Sequence, residues 1–166
     1  YSQAEKYKIN MIDAQNTRNV VQSALKELRE NRILITQCDE IEEWRPCSKK
    51  RISFLGRTTF LDRTINILGK RTGAEIVFGV IHRYSLRKYK LFMYDYEDMI
   101  GYLNGPSTSS VAETILKFLE EHIYANPEQW YQWKQFLQIK TAPGNNSRDE
   151  RPASPLVLKR ALDSAP

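Results

Sequence analysis

The segment from Ala74 to His82 constrains the fold of this chain more than any other. Apolar side chains follow one another from Ile76 to Ile81, and only Gly79 interrupts them. The run is rich in β-branched residues and far too short to cross a bilayer as a helix, so it predicts a strand. A strand without polar alternation is typical of a sheet that is covered on both faces. The chain is therefore expected to place helices against a buried sheet.

The apolar periodicity of the remaining chain predicts elements of both kinds around this strand. Spacings of three and four residues predict helices over residues 16–30, 60–71 and 111–124, and a further short helix that begins at Pro127. Short apolar runs predict strands over 32–37 and 89–94, while 39–50 and 101–110 have the composition of loops. The resulting order of elements predicts an α/β layer arrangement.

Length and composition indicate one domain followed by a tail. A chain of 166 residues with 41% hydrophobic residues has room for one real core. Residues 141–166 are too rich in Pro, Gly, Asn, Ser and charged side chains to order themselves, so we assign 1–140 to the domain and 141–166 to a flexible tail.

Two cysteines, Cys38 and Cys47, exclude a disulfide framework and indicate reduced thiols in a cytosolic setting. Because residue 1 is Tyr, the chain is expected to be part of a longer protein.

Basic residues are concentrated between positions 45 and 71. Eight Lys or Arg side chains stand there against Asp62 alone, in a chain whose net charge is +5. This segment predicts contact with an anionic partner, such as phosphate, an acidic headgroup or an acidic carrier protein. Lys49 to Arg51, with Trp44 nearby, are candidates for an anionic membrane surface. A solvated basic loop explains the same charges equally well.

Motifs that carry chemistry on their own are absent from the sequence. It contains no Gly-rich phosphate loop and no G-x-S-x-G elbow. No metal site is predicted, because Cys38 and Cys47 are nine residues apart and neither His is close to them. His82 closes the strongest strand and is either a site residue or a structural hydrogen-bonding group, and His122 is predicted to face solvent. No catalytic residue is assigned within the chain.

Three local patterns nevertheless follow one another in a recognisable order. The first is LRENRILITQCDE, from Leu28 to Glu40, and the second is FLGRTT, from Phe54 to Thr59, which precedes a helix and RTGAEIV. The third is NPEQW, from Asn126 to Trp130. In this order and spacing they resemble the C-terminal half of the bacterial lipid A biosynthesis acyltransferase family, the lauroyl and myristoyl transferases, and its lysophospholipid-acyltransferase-like relatives. The resemblance covers about residues 13–136.

The resemblance implies a fold and a reaction. The implied fold is α/β, with a mixed, largely parallel sheet flanked by helices as in glycerolipid acyltransferases, and this chain as the C-terminal portion of a larger domain. The implied reaction is transfer of a fatty acyl chain from an acyl-carrier-protein or coenzyme A thioester to a hydroxyl of a glycolipid or lysolipid. It implies no bound cofactor, and a location on the cytoplasmic face of the inner membrane, peripheral or anchored through a segment upstream of the chain.

The chain departs from the family pattern where catalysis is concerned. Relatives use an H-x-x-x-x-[DE] pair, in which His takes the hydroxyl proton and a carboxylate holds the imidazole. Here the fifth residue after His82 is Arg87, and the fifth after His122 is Pro127. We expect the pair to lie upstream of the chain, and loss of activity is the alternative. The His-Arg-Arg run that commonly follows P-E-Q-W is reduced to Lys134.

Seven residues are the candidates for substrate binding, all placed by the resemblance. They are Asp39, Glu40, Arg57, Glu128, Gln129, Trp130 and Lys134. Acidic residues after a buried strand face the ligand crevice of an α/β sheet, although they also cap. An Arg binds phosphate through its planar fork, although an ion pair with an acid such as Asp62 explains it as well. The group at 128–130 also suits a helix cap with an aromatic anchor.

Two further functions compete with acyl transfer. One is a nucleic-acid-binding module that uses the basic stretch and the nine Tyr residues, but no RNA- or DNA-binding signature is present. The other is a non-catalytic relative that binds lipid.

Overall fold

A computed structural model describes residues 6–13, 19–40, 46–103 and 110–138, with backbone alone for 46–49. The helices are α1 (Val20–Arg29), α2 (Thr64–Thr72), α3 (Tyr96–Tyr102), α4 (Val111–Ala125) and α5 (Trp133–Phe136), with a 3-10 turn at Pro127–Gln129. The strands are β1 (Pro46–Phe54), β2 (Arg57–Asp62), β3 (Val77–Ser85) and β4 (Lys88–Asp95). Within these ranges no helix has the length and apolar character needed to cross a bilayer.

Helix α1 confirms the predicted first helix, with a later start. Asn19 sets that start, because its side-chain oxygen accepts a hydrogen bond from the Gln22 amide at 3.2 Å. The strand expected over 32–37 is wrong. Residues 32–37 form neither helix nor strand, and Ile33 and Ile35 are about 90% exposed. The physical reason is that no described strand pairs with this segment, so it lacks the backbone hydrogen bonds of a β-ladder with a described strand.

Strands β1 and β2 form a hairpin where the sequence predicts a loop and the start of a helix. Phe54 pairs with Arg57 across the two-residue turn Leu55–Gly56, whose φ angles are both positive, at 48° and 72°. Such a turn matches the twist of antiparallel strands. The predicted helix 60–71 is therefore corrected: β2 occupies its first residues, and α2 begins at Thr64. Gly73 ends α2 in the left-handed conformation, as predicted.

Strands β3 and β4 form a second antiparallel hairpin and confirm both predicted strands. The pairing runs from Val77 opposite Asp95 to Ser85 opposite Lys88, and Leu86–Arg87 make the turn. The expectation that β3 is covered on both faces is wrong, because Phe78 and His82 are buried while Val77 and Ile81 are more than half exposed. The described helices that contact this hairpin cover one of its faces only.

Helix α4 organises the core. It is confirmed over Val111–Ala125, and it contacts α2, α3, both strands of the first hairpin and the 3-10 turn. The unpredicted helix α3, which Asp95 caps through the Asp98 amide, includes the first two residues of the predicted loop 101–110. The buried residues of the main cluster are Ile52, Phe54, Leu61, Phe78, Met99, Ala112, Ile115, Leu116, Phe118, Leu119, Ile123, Trp130 and Phe136.

The fold class is mixed α/β, as predicted, and the described strands include no parallel pair. The described strands form two separate two-stranded sheets, and both are antiparallel. The reason is the length of the connections, since two-residue turns join antiparallel neighbours, whereas a parallel pair needs a crossover of a dozen residues or more. Helix α2 links β2 to β3 but the two strands do not pair. The predicted tail, 141–166, lies outside the described residues.

Candidate functional site: an apolar trough beside an aromatic cluster

A large apolar trough opens on the side of the molecule formed by α1, α2 and α4. Its volume is about 1510 Å³. One wall is the start of the described chain and the extended segment after α1, and the other is the buried faces of the three helices. The apolar lining residues are Tyr7, Ile9, Met11, Ile12, Val20, Val21, Ala24, Ile33, Leu34, Ile35, Cys38, Ile65, Leu68, Ala112, Ile115 and Leu116. Exposed aliphatic residues that face a concave apolar surface mark a ligand site.

Several polar groups of the trough are bonded to one another. Arg32 donates to the Glu27 carboxylate at 2.6 Å across one end. Asp62 accepts hydrogen bonds from the backbone and the hydroxyl of Thr64, both at 2.8 Å, and so satisfies the first amide of α2. Glu40 is half-buried and also lines the trough. Arg32 and Asp62 are thus held by other groups of the trough, and most of the remaining lining residues are apolar.

The thiol of Cys38 also lines the trough. Burial, with a smaller contribution from the neighbouring Asp39 charge, raises the pKa of Cys38 to about 12. The thiolate is the nucleophilic form of cysteine, and at neutral pH such a thiol stays protonated. Cys38 therefore contributes an apolar surface to the trough and not a nucleophile.

Asp39 lies at the boundary between the trough and a cluster of aromatic rings. Its carboxylate accepts a hydrogen bond from the Trp130 indole nitrogen at 3.0 Å, across 91 residues of sequence. Trp130 is buried, and its ring lies 6.1 Å from that of Phe54 and 5.8 Å from that of Phe136, between centroids. Two predicted site residues from distant parts of the sequence are thus in direct contact.

Arg57 reaches the same cluster from the other side. Its guanidinium donates to the carbonyl oxygens of Phe136 and Leu137, at 3.0 and 3.2 Å, and lies 5.4 Å from the centre of the Phe136 ring. These carbonyls belong to the end of α5, where a cation is favourable. These contacts, and not an ion pair with Asp62, are the main ones of Arg57. The guanidinium that the sequence predicts to bind an anion is therefore directed toward backbone carbonyls of the protein.

The remaining predicted residues lie near the second hairpin or in solvent. The Gln129 side chain accepts from the Arg83 amide at 2.7 Å and donates to the Arg83 carbonyl at 3.2 Å, so it occupies the edge of β3 as a short strand would. Glu128 and Lys134 are exposed. The structure therefore gathers Asp39, Trp130 and Arg57 around one aromatic cluster, leaves Glu40 in the trough, and separates Glu128 and Lys134 from both.

A buried histidine pair was not found by sequence reasoning. His82 Nε2 and His122 Nδ1 are 3.2 Å apart, and both residues are at most 5% exposed, so the prediction that His122 faces solvent is wrong. The sequence does contain the signal: His122 follows Ile115, Phe118 and Leu119 at the spacing of one helix face, which is the buried one.

The environment of this pair keeps both imidazoles neutral. Burial, with a smaller contribution from the nearby His82, lowers the pKa of His122 to about 4. Burial also lowers the pKa of His82, and the Glu128 carboxylate opposes that shift. The rings of Phe78, Tyr94 and Phe118 surround His122 within 5.9 Å between centroids. Sealed in this way, the pair has no access to a substrate hydroxyl.

No metal centre is present in the part of the chain that the structure describes. Among residues 6–13, 19–40, 46–103 and 110–138, no three His, Cys, Asp or Glu side chains come together in a way that could hold an ion.

Comparison with known proteins gives the chain a family. The model of the family described as bacterial lipid A biosynthesis acyltransferase matches residues 2–138, which include all of the trough and the aromatic cluster. No curated protein and no solved structure gave a match. With most of its length matched, this chain belongs to the bacterial lipid A biosynthesis acyltransferase family.

Proposed function

We propose that this chain takes part in the transfer of a fatty acyl chain from an acyl-carrier-protein or coenzyme A thioester to a hydroxyl of a glycolipid or lysolipid, and that the trough holds the acyl chain. The observation that carries the proposal is an apolar trough of about 1510 Å³ in a member of this family. That volume exceeds the roughly 300–1,000 Å³ of pockets for drug-sized ligands, so an extended hydrocarbon chain fits.

The walls of the trough support hydrocarbon as the ligand. Ile33 and Ile35, each about 90% exposed, lie on the extended segment that lines it, and Met11 is 63% exposed. Leaving such side chains in water forgoes about 25 cal/mol for each Å² of apolar surface that a ligand would cover. An acyl chain would cover these side chains, and it needs no polar partner.

The proton transfer of the reaction requires groups from elsewhere. Neither His82 nor His122 has a carboxylate at the family spacing, and both are sealed among aromatic rings. We propose that the His and acid pair is supplied by polypeptide outside these 166 residues, and that this chain contributes acyl-chain binding. The same trough without such a pair would serve a lipid-binding protein that has no transferase activity, which is the second candidate function.

The first test measures the affinity of the chain for saturated fatty acids of increasing length. Each buried methylene is worth about 0.8 kcal/mol, so we expect the affinity to rise about fourfold per added carbon until the trough is full. Ile35→Asp places a charge on the wall at an exposed position and is expected to weaken binding more than tenfold. Leu137→Asp, at an exposed position outside the trough, is the matched control. Affinity that is independent of chain length, or equal loss in both variants, would show that the trough is not the site.

The second test separates transfer from binding alone. The 166-residue chain, incubated with acyl coenzyme A and a lysolipid, is expected to bind the acyl chain and to form no ester. A polypeptide that combines this chain with an H-x-x-x-x-[DE] segment should form the ester. Turnover by the 166 residues alone would contradict the proposed division, and absence of turnover in the longer polypeptide would favour the lipid-binding function.

A further inference from the structure

Two extended segments form the outer wall of the trough. Residues 7–12 are the first outer segment and residues 32–38 are the second, and every residue of both lines the trough. Neither segment belongs to a described strand. Ile12 of the first and Leu34 of the second pack against the apolar cluster between α1 and α2. A wall with few buried contacts and no ladder opens at a low free-energy cost, so side-chain contacts decide whether it stays closed.

One carboxylate joins the two outer segments. Glu27, on α1, accepts a hydrogen bond from the Asn10 side-chain amide at 2.9 Å with one oxygen. Its other oxygen accepts from the Arg32 guanidinium at 2.6 Å. The Glu27 side chain is 14% exposed, and all three residues line the trough. Since hydrogen bonds to a charged group are stronger than those between neutral groups, Glu27 holds both outer segments against α1.

The end of α1 brings Arg32 to this carboxylate. Asn31 has a left-handed backbone, with φ 57°, and its amide donates to the Leu28 carbonyl at 3.1 Å. The Arg32 amide donates to the Glu27 carbonyl, also at 3.1 Å. These bonds form a Schellman motif, in which an apolar contact often joins the two positions that Glu27 and Arg32 occupy. Here a charged pair takes that place, with the Arg32 side chain 54% exposed, and such a pair separates into water more easily than an apolar contact does.

The far end of the second outer segment is held by the core. Cys38 packs against the main apolar cluster, and the Asp39 carboxylate accepts from the indole of buried Trp130 at 3.0 Å. Among the described residues, no hydrogen bond joins residues 33–37 to another part of the chain. The contact with Glu27 therefore decides whether the two outer segments stay together, while the Asp39 end remains fixed.

We propose that Glu27 is the latch of the trough: its two hydrogen bonds close the outer wall, and the acyl chain enters and leaves when Asn10 and Arg32 part from it. The identity of the ligand rests on the proposed function, whereas the latch rests on the contacts of Glu27 alone. Glu27 is thus a positioning residue that touches no reacting group. Because the latch is closed both with and without ligand, it changes the rates of exchange and leaves the affinity nearly unchanged.

The experiment measures how fast the 166-residue chain binds and releases parinaric acid, a fatty acid that fluoresces in apolar surroundings, by stopped-flow. Glu27→Gln keeps one acceptor oxygen and replaces the other by a donor, so one of the two hydrogen bonds is lost. We expect the association and dissociation rates both to rise about tenfold, as for one hydrogen bond to a charged group. The dissociation constant should change by less than about threefold.

The matched control is Glu30→Gln, which removes the same charge from the same base. Glu30 pairs with Arg32 at 3.1 Å, but it does not line the trough. Both rates should stay within about twofold of the parent chain, since the contact between Glu27 and the two outer segments is kept. Asn10→Ala, at an exposed position, frees the first outer segment alone and should raise both rates about threefold.

The thiol of Cys38 gives a readout that needs no ligand. It lines the trough, and Cys47→Ser leaves it as the only thiol of the chain. In that background Glu27→Gln should accelerate the labelling of Cys38 by a maleimide about tenfold, and Glu30→Gln should leave it unchanged. Acceleration that only follows a matching loss of unfolding free energy would overturn the latch, because general loosening of the fold would then explain it.

The latch would also be overturned by unchanged rates in Glu27→Gln, by equal acceleration in Glu30→Gln, or by a rise in the dissociation rate alone. Failure of the proposed function gives a different result. If parinaric acid does not bind while Cys38 labelling still accelerates in Glu27→Gln, acyl-chain binding is refuted and the latch stands. If parinaric acid binds and neither the rates nor the labelling change, the latch is refuted and acyl-chain binding stands.

Discussion

The two hairpins of this protein have the same pairing and opposite surroundings. In β1–β2, Ile52, Phe54 and Leu61 are buried against α4 and the aromatic cluster, and the turn itself is anchored, because Glu120 accepts from the Leu55 amide at 2.6 Å. In β3–β4, one face packs on α4 and the other exposes aliphatic side chains along its length. The outer face of the first hairpin is polar, with Ser53 and Thr58 exposed, whereas that of the second is apolar. An exposed apolar face indicates a contact surface.

The largest expected effect is in the first hairpin, at Phe54. Its side chain is 1% exposed and meets the rings of Trp130 and Phe136 edge to face. Phe54→Ala removes these contacts and leaves a cavity, so the free energy of unfolding should fall by about 3–5 kcal/mol. Urea denaturation followed by circular dichroism measures it. A loss below about 1 kcal/mol would mean that the first hairpin is not the better anchored of the two.

The second expected effect is a pH dependence of the attachment between β3 and α4. His122 has a pKa of about 4 in the folded protein and near 6.5 when unfolded. Between these values the unfolded chain binds more protons, so stability is fully present above pH 6.5 and falls by about 3 kcal/mol as the pH is lowered below 4.

The measurement is the free energy of unfolding from pH 7 to 4 in the parent chain and in His122→Leu. The raised pKa values of Glu120 and Glu121 act in the opposite direction, since those carboxyls bind protons more readily when folded. The difference between the two curves isolates the imidazole. Parallel curves would show that His122 is solvated, as its sequence neighbourhood first suggested.

A smaller effect is expected at the anchored turn of the first hairpin. Glu120→Leu leaves the Leu55 amide without its acceptor and should cost about 1–3 kcal/mol in unfolding free energy. Glu120→Gln keeps an acceptor oxygen in place and serves as the control, with a smaller loss. Equal losses would mean that charge, and not the hydrogen bond, holds the turn.

The smallest effect is expected on the outer face of the second hairpin. Ile81 is 63% exposed, so Ile81→Thr should change the free energy of unfolding by no more than about 0.5 kcal/mol. Phe78→Ala, on the inner face of the same strand, should cost several times more. A large loss in Ile81→Thr would show that this face is already covered within the protein, and would remove the contrast between the hairpins.

The sequence predicts those elements whose apolar spacing is long and regular. Helix α4 is predicted within one residue, because Ile115, Phe118 and Leu119 fix its buried face. By contrast, the short run at Phe60 and Leu61 fits a helix start and a strand equally well, and pairing with β1 decides for the strand. In the segment 32–37 the sequence predicts a strand that does not form. Its β-branched residues favour a strand, but a strand needs a partner with which to pair.

In the candidate site, too, the sequence predicts individual residues but not the contacts between distant parts of the chain. Asp39 and Trp130 are singled out by their motifs, but their hydrogen bond joins positions 91 residues apart and has no local signal. The motif predicts that Arg57 binds an anion, but in the structure its guanidinium donates to a backbone carbonyl at the end of α5. The trough requires the relative placement of three helices, which local periodicity does not encode. Which residues bind substrate therefore stays a prediction.

The hydrogen bond between Asp39 and Trp130 also has a consequence for synthesis. A ribosome adds about 5–20 residues per second, so Trp130 is made roughly 5 to 20 seconds after Asp39. The contacts of Leu55 and Arg57 likewise form only after Glu120 and Phe136 have been synthesised. During that interval the nascent chain carries Ile52, Phe54 and Leu61 without the helix and the aromatic rings that bury them. Chaperones that act on growing polypeptides would find their target in this half of the chain before its second half exists.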